Sequence, residues 1–233
     1  MSRPDGGPAR PEIRAQGLPV YLALDVSKSM QPHEEILNRT LAEILNVLYT
    51  SPRISEFVHL SILTFGSRPG VVVGMTELEG LAGIPRVECR GATYFAPLFR
   101  LLRERIELDV PRLAERGVRP LRPVVFLLTD GAPADRPDGA WEEAFGELTD
   151  ADWRPHPHIV TYGFGTAVES VLGRMATVAA FAAVPGAETD GEALTTALGT
   201  VLNSLVASAQ AQAMQVPEQV RGYRSLPLEH IDF

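Results

Sequence analysis

The chain has 233 residues, 45% hydrophobic and 21% charged, which supports one ordinary globular core and excludes a low-complexity or fibrous protein. Its one cysteine, Cys89, excludes an internal disulfide and with it a disulfide-stapled secreted scaffold. A formal charge of −8, from 21 Lys and Arg against 29 Asp and Glu, argues against a general nucleic-acid binder and against adsorption to anionic lipid.

Residues 1–17 carry Gly, Pro and charge without periodicity and are expected to form a disordered leader. They lack the apolar segment of a secretory signal, and no apolar run reaches the ~18–20 residues that cross a bilayer, so a cytoplasmic protein is expected. From Leu18 to Leu24 a short continuous apolar run fits a strand buried on both faces, as in a parallel sheet. It stops at Asp25. From Glu34 to about Tyr49, Ile36, Leu37, Leu41, Ile44, Leu45 and Leu48 recur at helical spacing, and Pro52 closes the element. Phe57 to Phe65 reads as a second strand, and Val71–Val73 returns from a turn carrying Ser67, Pro69 and Gly70 as its antiparallel partner. The segment 78–84 gives no firm assignment.

Arg90-Gly91-Ala92-Thr93 is a loop that leads into a helix over about 96–108, with Leu98, Leu101, Leu102 and Ile106 on one face. Residues 109–122 read as a charged, Pro-containing connection. Pro123 to Thr129 is another apolar strand, stopping at Asp130-Gly131. A helix over 141–148, a strand over 158–164, a helix over 168–178 and a short strand over 181–184 come next. Thr189 and Glu192 form a capping box that opens a last helix running to about Met214. The alternation predicts an α/β fold: a doubly wound, mainly parallel six-stranded sheet with one antiparallel edge strand and helices on both faces. One domain is expected over 18–214, with a C-terminal tail over 215–233.

In such a sheet, ligands bind outside the carboxyl ends of the strands. The first strand ends in Asp25-x-Ser27-x-Ser29, the fourth in Thr129-Asp130-Gly131, and a loop between them offers Gly91-Ala92-Thr93. These are short oxygen-bearing side chains with no histidine or cysteine among them, the donor set of a hard divalent cation such as Mg²⁺. A spacing of two lets Asp25, Ser27 and Ser29 face one side of an extended loop. Each element alone has a plainer explanation, since an Asp at a strand end can cap a helix and Asp-Gly is a common turn. Their order and spacing together are far more specific.

That combination resembles a von Willebrand factor A domain with a metal-ion-dependent adhesion site, over Leu18 to about Ala209. Within that superfamily the stretches 18–30, Gly91–Thr93 and 126–135 are most similar to the bacterial tellurite-resistance proteins of the TerY type. The resemblance implies that Ser27, Ser29 and Thr93 bind the cation directly, and that Asp25 and Asp130 act mostly through water or through the hydroxyls. It implies Mg²⁺, or Mn²⁺ or Ca²⁺, as the cofactor, and a partner's acidic side chain to complete the coordination. It further implies a scaffold or sensor role beside a Ser/Thr phosphatase and a protein kinase; the acidic balance, separately, leads us to expect no nucleic acid or membrane partner.

Lys28 stands where the family often carries Gly and is expected to face solvent. Asp135 matches the closer family without an assigned ligand role, and a loop cap is its plain reading. Cys89, four residues before Thr93, is expected near the site as a buried thiol. His156 and His158 lack carboxylates at zinc spacing. Tyr94 and Phe95 suit either the rim of the site or the core. Two other functions compete: a Mg²⁺-dependent phosphoryl-transfer or hydrolytic enzyme, and an exported adhesin. Against the enzyme, the chain has neither a Walker A loop nor a Gly-x-Ser-x-Gly elbow.

Overall fold

A computed structural model describes residues 15–75 and 86–229. Most of the expected 1–17 leader and the unassigned segment 78–84 lie outside the described residues. The described chain opens with strand β1 (Gln16–Asp25), whose alternation organises the rest. Leu18, Val20, Leu22 and Leu24 pack into one hydrophobic cluster, and Tyr21 and Ala23 into another on the opposite face. A strand buried on both sides needs apolar residues at every position, which is why it reads as a continuous run and not as an alternating one.

A 3₁₀ helix (Lys28–His33) leads into α1 (Glu34–Thr50), then a single turn α2 (Pro52–Ser55), and β2 (Val58–Phe65) pairs parallel to β1. The hairpin partner β3 (Gly70–Val73) is antiparallel, as its β-branched run suggested. Helix α3 (Phe95–Glu115) crosses the other face and is followed by a two-residue pairing, β4 (Arg119–Pro120), beside the start of β1. Then come β5 (Val124–Thr129), α4 (Ala140–Leu148), β6 (His158–Gly163), α5 (Glu169–Arg174), β7 (Ala179–Ala183) and α6 (Asp190–Ala211). The strands run in the order β3-β2-β1-β5-β6-β7, and β8 (Tyr223–Ser225) closes the far edge antiparallel to β7.

The fold is the expected mainly parallel, doubly wound sheet, with eight strands where six were read and antiparallel strands at both edges. The two additions, β4 and β8, are two and three residues long, too short to show any period. β8 comes from the stretch expected to be a tail. Tyr223 anchors it: the side chain is buried, donates its hydroxyl to the Ala193 carbonyl (2.8 Å) and meets Tyr162 edge-on.

Helix α3 also runs seven residues past the expected end at 108, through Pro111. Proline inside a helix costs about 3 kcal/mol. Two anchors beyond the expected stop offset it. Leu113 is buried in the core, an effect of about 1.5–3 kcal/mol. Asp109, wholly buried, accepts from Arg105 (2.8 Å) and from the Tyr21 hydroxyl (3.3 Å) of β1. The capping box at Thr189 and Glu192 is formed in both directions, as read from the sequence. Among the described residues, no helix is long and apolar enough to cross a membrane.

Candidate metal centre

The chain winds outward from β1 through β2 to β3, then returns to β5 and winds the other way. The reversal lies between β1 and β5, where an open α/β sheet leaves a crevice at its carboxyl end. Asp25 ends one of these strands and Asp130 comes directly after the other. Register explains what Asp25 meets. Leu24 pairs with Leu128, so the next residues, Asp25 and Thr129, sit side by side.

Asp25 is fully buried, and its carboxylate gathers donors from three segments. Oδ1 accepts from the Ser27 amide at 2.8 Å. Oδ2 accepts from the Thr129 hydroxyl at 2.6 Å and from the Thr93 hydroxyl at 3.4 Å. A second chain of bonds lies above it. The Ser27 and Ser29 hydroxyls share a hydrogen bond of 3.0 Å, and the Ser29 hydroxyl donates to Asp130 Oδ1 at 2.8 Å. The structure therefore brings together all five residues read from the sequence: Asp25, Ser27, Ser29, Thr93 and Asp130. Ser27, Thr93 and Asp130 are buried while Ser29 is exposed, so the group has a closed floor and one open side.

Burial raises the Asp25 carboxyl above the ordinary range, opposed by the hydrogen bonds from Thr129, Ser27 and Thr93. Burial also pushes Asp130 up to about 6, with the Asp25 charge adding to the rise and the Ser29 bond and the charge of His33 opposing it. Two carboxylates held close and away from water call for a cation. Every donor is oxygen, which fits Mg²⁺, Mn²⁺ or Ca²⁺ better than a softer metal. Among the described residues, no three His, Cys, Asp or Glu side chains are grouped to hold a metal, so any cation at this site depends on the hydroxyls.

Two glycines make the approach possible. Gly91 has φ +85°, and a Cβ there would lie 2.1 Å from Ser67 Oγ, whose hydroxyl oxygen accepts the Ala92 amide. Gly131 has no such backbone demand. A Cβ at Gly131 would lie 2.8 Å from Thr93 Oγ1, so its hydrogen side chain lets the Thr93 hydroxyl enter the crevice. In sequence this residue reads only as part of an Asp-Gly turn.

Several neighbours escaped the sequence reading. Thr129 was visible only as the residue before Asp130, and its role emerges once β1 and β5 are in register. Thr166 holds the Asp130 backbone, donating its hydroxyl (2.8 Å) and amide (2.9 Å) to the Asp130 carbonyl. His33, at the end of the 3₁₀ helix, faces Asp130 closely enough for its charge to act on it. Asp135 caps not its own loop, the expected role, but a helix about 40 residues earlier in sequence: its two oxygens accept from the Phe95 and Ala96 amides at the start of α3.

The remaining candidates lie at the margin of the centre or away from it. The Lys28 side chain is exposed, while its amide donates to the Gly91 carbonyl at 2.9 Å. Cys89 is buried, and burial with the charges of Glu34, Asp25 and Asp130 pushes its thiol up to about 12, an inert state. Phe95 is core, packed with Phe65 and Phe99, and Tyr94 is half-buried beside it. His158 begins β6, and His156 lies just before it with Nδ1 2.9 Å from the Trp153 carbonyl oxygen. That is the sheet's amino end, away from Asp25 and Asp130.

No protein-family model matches the chain, and no curated protein does. Solved structures do. A pilus adhesin, SpaC from Lactobacillus rhamnosus GG, aligns over 82% of the chain and 30% of its own, with TM-score 0.60 and 13% identity. Proximal thread matrix protein 1 from the mussel byssus aligns over 82% and 48%, with TM-score 0.57 and 16% identity. A von Willebrand factor type A protein from Catenulispora acidiphila aligns over 82% and 43%, with TM-score 0.55 and 12% identity. The chain thus spans less than half the length of each of these chains. At such identities the likeness concerns the path of the backbone: the chain has the von Willebrand factor type A fold, and the switch point of its sheet carries the five oxygen-bearing side chains.

Proposed function

We propose that this chain is a divalent-cation-dependent protein-interaction module. Asp25, Ser27, Ser29, Thr93 and Asp130 hold Mg²⁺, or Mn²⁺ or Ca²⁺. The observation that carries this reading is the convergence of the Ser27, Ser29 and Thr93 hydroxyls on the two buried carboxylates of Asp25 and Asp130. When bound, the cation offsets the repulsion between these carboxylates and offers a coordination position to an incoming anion. The exposed side at Ser29 is where a partner's Asp or Glu would enter, and a cation held largely by neutral hydroxyls keeps enough charge to attract it.

The role is binding without catalysis. The side chains of the centre satisfy one another, and the basic neighbour Lys28 is turned to solvent. In finer terms, we place the module in a bacterial stress system of the tellurite-resistance type, in the cytoplasm, with a Ser/Thr phosphatase or a protein kinase as its partner. Support for this comes from the stretches 18–30, Gly91–Thr93 and 126–135, which resemble the TerY type. The backbone likeness to a pilus adhesin favours, as a second reading, an adhesive role outside the cell using the same centre.

The test is capture of partners from lysate of the source organism by purified chain with Mg²⁺, with EDTA, and by the Ser27→Ala/Ser29→Ala variant with Mg²⁺. A partner held by wild type with Mg²⁺ alone is expected. Equal capture in all three would overturn the cation bridge.

A further inference from the structure

We propose that Asp135 is the positioning residue for Thr93: by clamping the first turn of α3 from the Asp130 loop, it fixes the Thr93 hydroxyl against the metal centre. This rests on the metal-site reading above.

The Thr93 hydroxyl is held only loosely by its own hydrogen bond. Its bond to Asp25 is 3.4 Å, the longest of the three side-chain and amide contacts on that carboxylate. The start of α3, just after Thr93, takes its side-chain cap from a distant part of the sequence. Tyr94, at the cap of α3, offers no side-chain hydrogen bond to the helix, although helix starts usually take one from a local Ser, Thr, Asp or Asn. Asp135 fills that role from about 40 residues away. Its carboxylate, 5% exposed, accepts the Phe95 amide at 3.0 Å through Oδ2 and the Ala96 amide at 2.8 Å through Oδ1. The preceding residue adds a third link, the Ala134 amide donating to the Thr93 carbonyl at 2.8 Å.

A local cap would have stabilised α3 equally well. It would not have tied Thr93 to the loop that carries Asp130. Asp135 does both, because only four residues separate it from Asp130 and one separates Thr93 from Phe95. Gly131, inside the same loop, leaves the space that the Thr93 hydroxyl needs. The loop after β5 thus supplies one member of the centre, makes room for a second, and pins the backbone that presents it.

The test is Mn²⁺ binding to the full chain, by calorimetry and by the loss of the free-ion electron paramagnetic resonance signal. The variants are Asp135→Asn, Thr93→Ala, the two combined, and Ser29→Ala as a control, with folding checked by circular dichroism. Asp135→Asn keeps the shape and turns one acceptor into a donor facing an N–H. Loss of a group that orients a metal ligand typically lowers affinity about 10–100-fold, and about 10-fold is expected here. In the Thr93→Ala background the same change should move affinity less than about twofold, because its route of action is gone. Ala134→Pro, which deletes the other link, gives a second approach with the same expected direction.

Asp135→Asn that binds Mn²⁺ as wild type does, while Ser29→Ala does not, overturns this inference alone. So does an equal loss in the presence and absence of the Thr93 hydroxyl, which would make Asp135 a general stabiliser. Wild type that binds no Mn²⁺ overturns the metal reading and this inference with it.

Discussion

The two ends of the parallel sheet bury charge-bearing groups of opposite sign, and among the described residues only the carboxyl end surrounds them with partners. At the carboxyl end, Asp25 and Asp130 are pushed up by burial while hydroxyl and amide donors converge on them. At the amino end, His59 of β2 lies in a cleft with Leu48, Leu113, Arg116 and Val118. Burial, then the charge of Arg116, pushes its imidazole down. Its Nε2 is buried with no hydrogen-bond partner among the described residues. Both ends disfavour ionisation, as desolvation must. The difference is convergence: the carboxyl end directs several polar side chains at one point, where a ligand of opposite charge would restore what burial took away. Among the described residues the amino end has no such arrangement, and it reads as packing.

The comparison is broken most strongly by removing a donor from the carboxyl end. Thr129→Val keeps the shape of the side chain and takes away the 2.6 Å bond to buried Asp25. A buried acceptor left short of a donor costs about 1–3 kcal/mol, and urea unfolding of the metal-free chain should show a loss in that range. Gly131→Ala should act on the site more than on the fold. The new Cβ, 2.8 Å from Thr93 Oγ1, forces the hydroxyl out of the crevice. Mn²⁺ affinity should fall about 10-fold with little change in circular dichroism.

The smallest effect is a difference in pH dependence between the two ends. Asp130 titrates near 6 in the folded chain against 3.8 ordinarily. Its folded value is raised, so its contribution is fully present below about 3.8 and is lost as pH rises through about 6. His59 is lowered from 6.5, so its contribution is present above 6.5 and is lost as pH falls through its folded value. On acidification from pH 7 to 5 in EDTA, the carboxyl end gains stability while the amino end loses it. His59→Gln should therefore lose less stability than wild type over that range in chemical denaturation. An unchanged pH profile would mean that His59 is not desolvated as its surroundings indicate.

The core strands were legible because a doubly buried strand is a run of apolar residues at every position, and β1 and β5 are such runs. The five residues of the centre were legible because each stands at or next to the end of a strand or helix, where the pattern breaks into polar residues. What escaped was tertiary. Thr129 becomes a partner of Asp25 only through the register of β1 with β5. Asp135 reads as the cap of something nearby until α3 is seen to begin beside it. Pro111 marks a stop in sequence, yet Leu113 and Asp109 carry α3 past it. β8 is three residues long and held by Tyr223, so no window of sequence could show it.

Whether the crevice between β1 and β5 holds one divalent cation is decided by titrating the purified chain with Mn²⁺, beside Ser27→Ala/Ser29→Ala. One saturable site per chain is expected in wild type, displaced by Mg²⁺. In the variant, affinity should be weaker by at least about 100-fold, since even groups that only orient a ligand contribute about 10–100-fold. No saturable binding in wild type, or the same binding in the variant, would contradict a cation held by these hydroxyls.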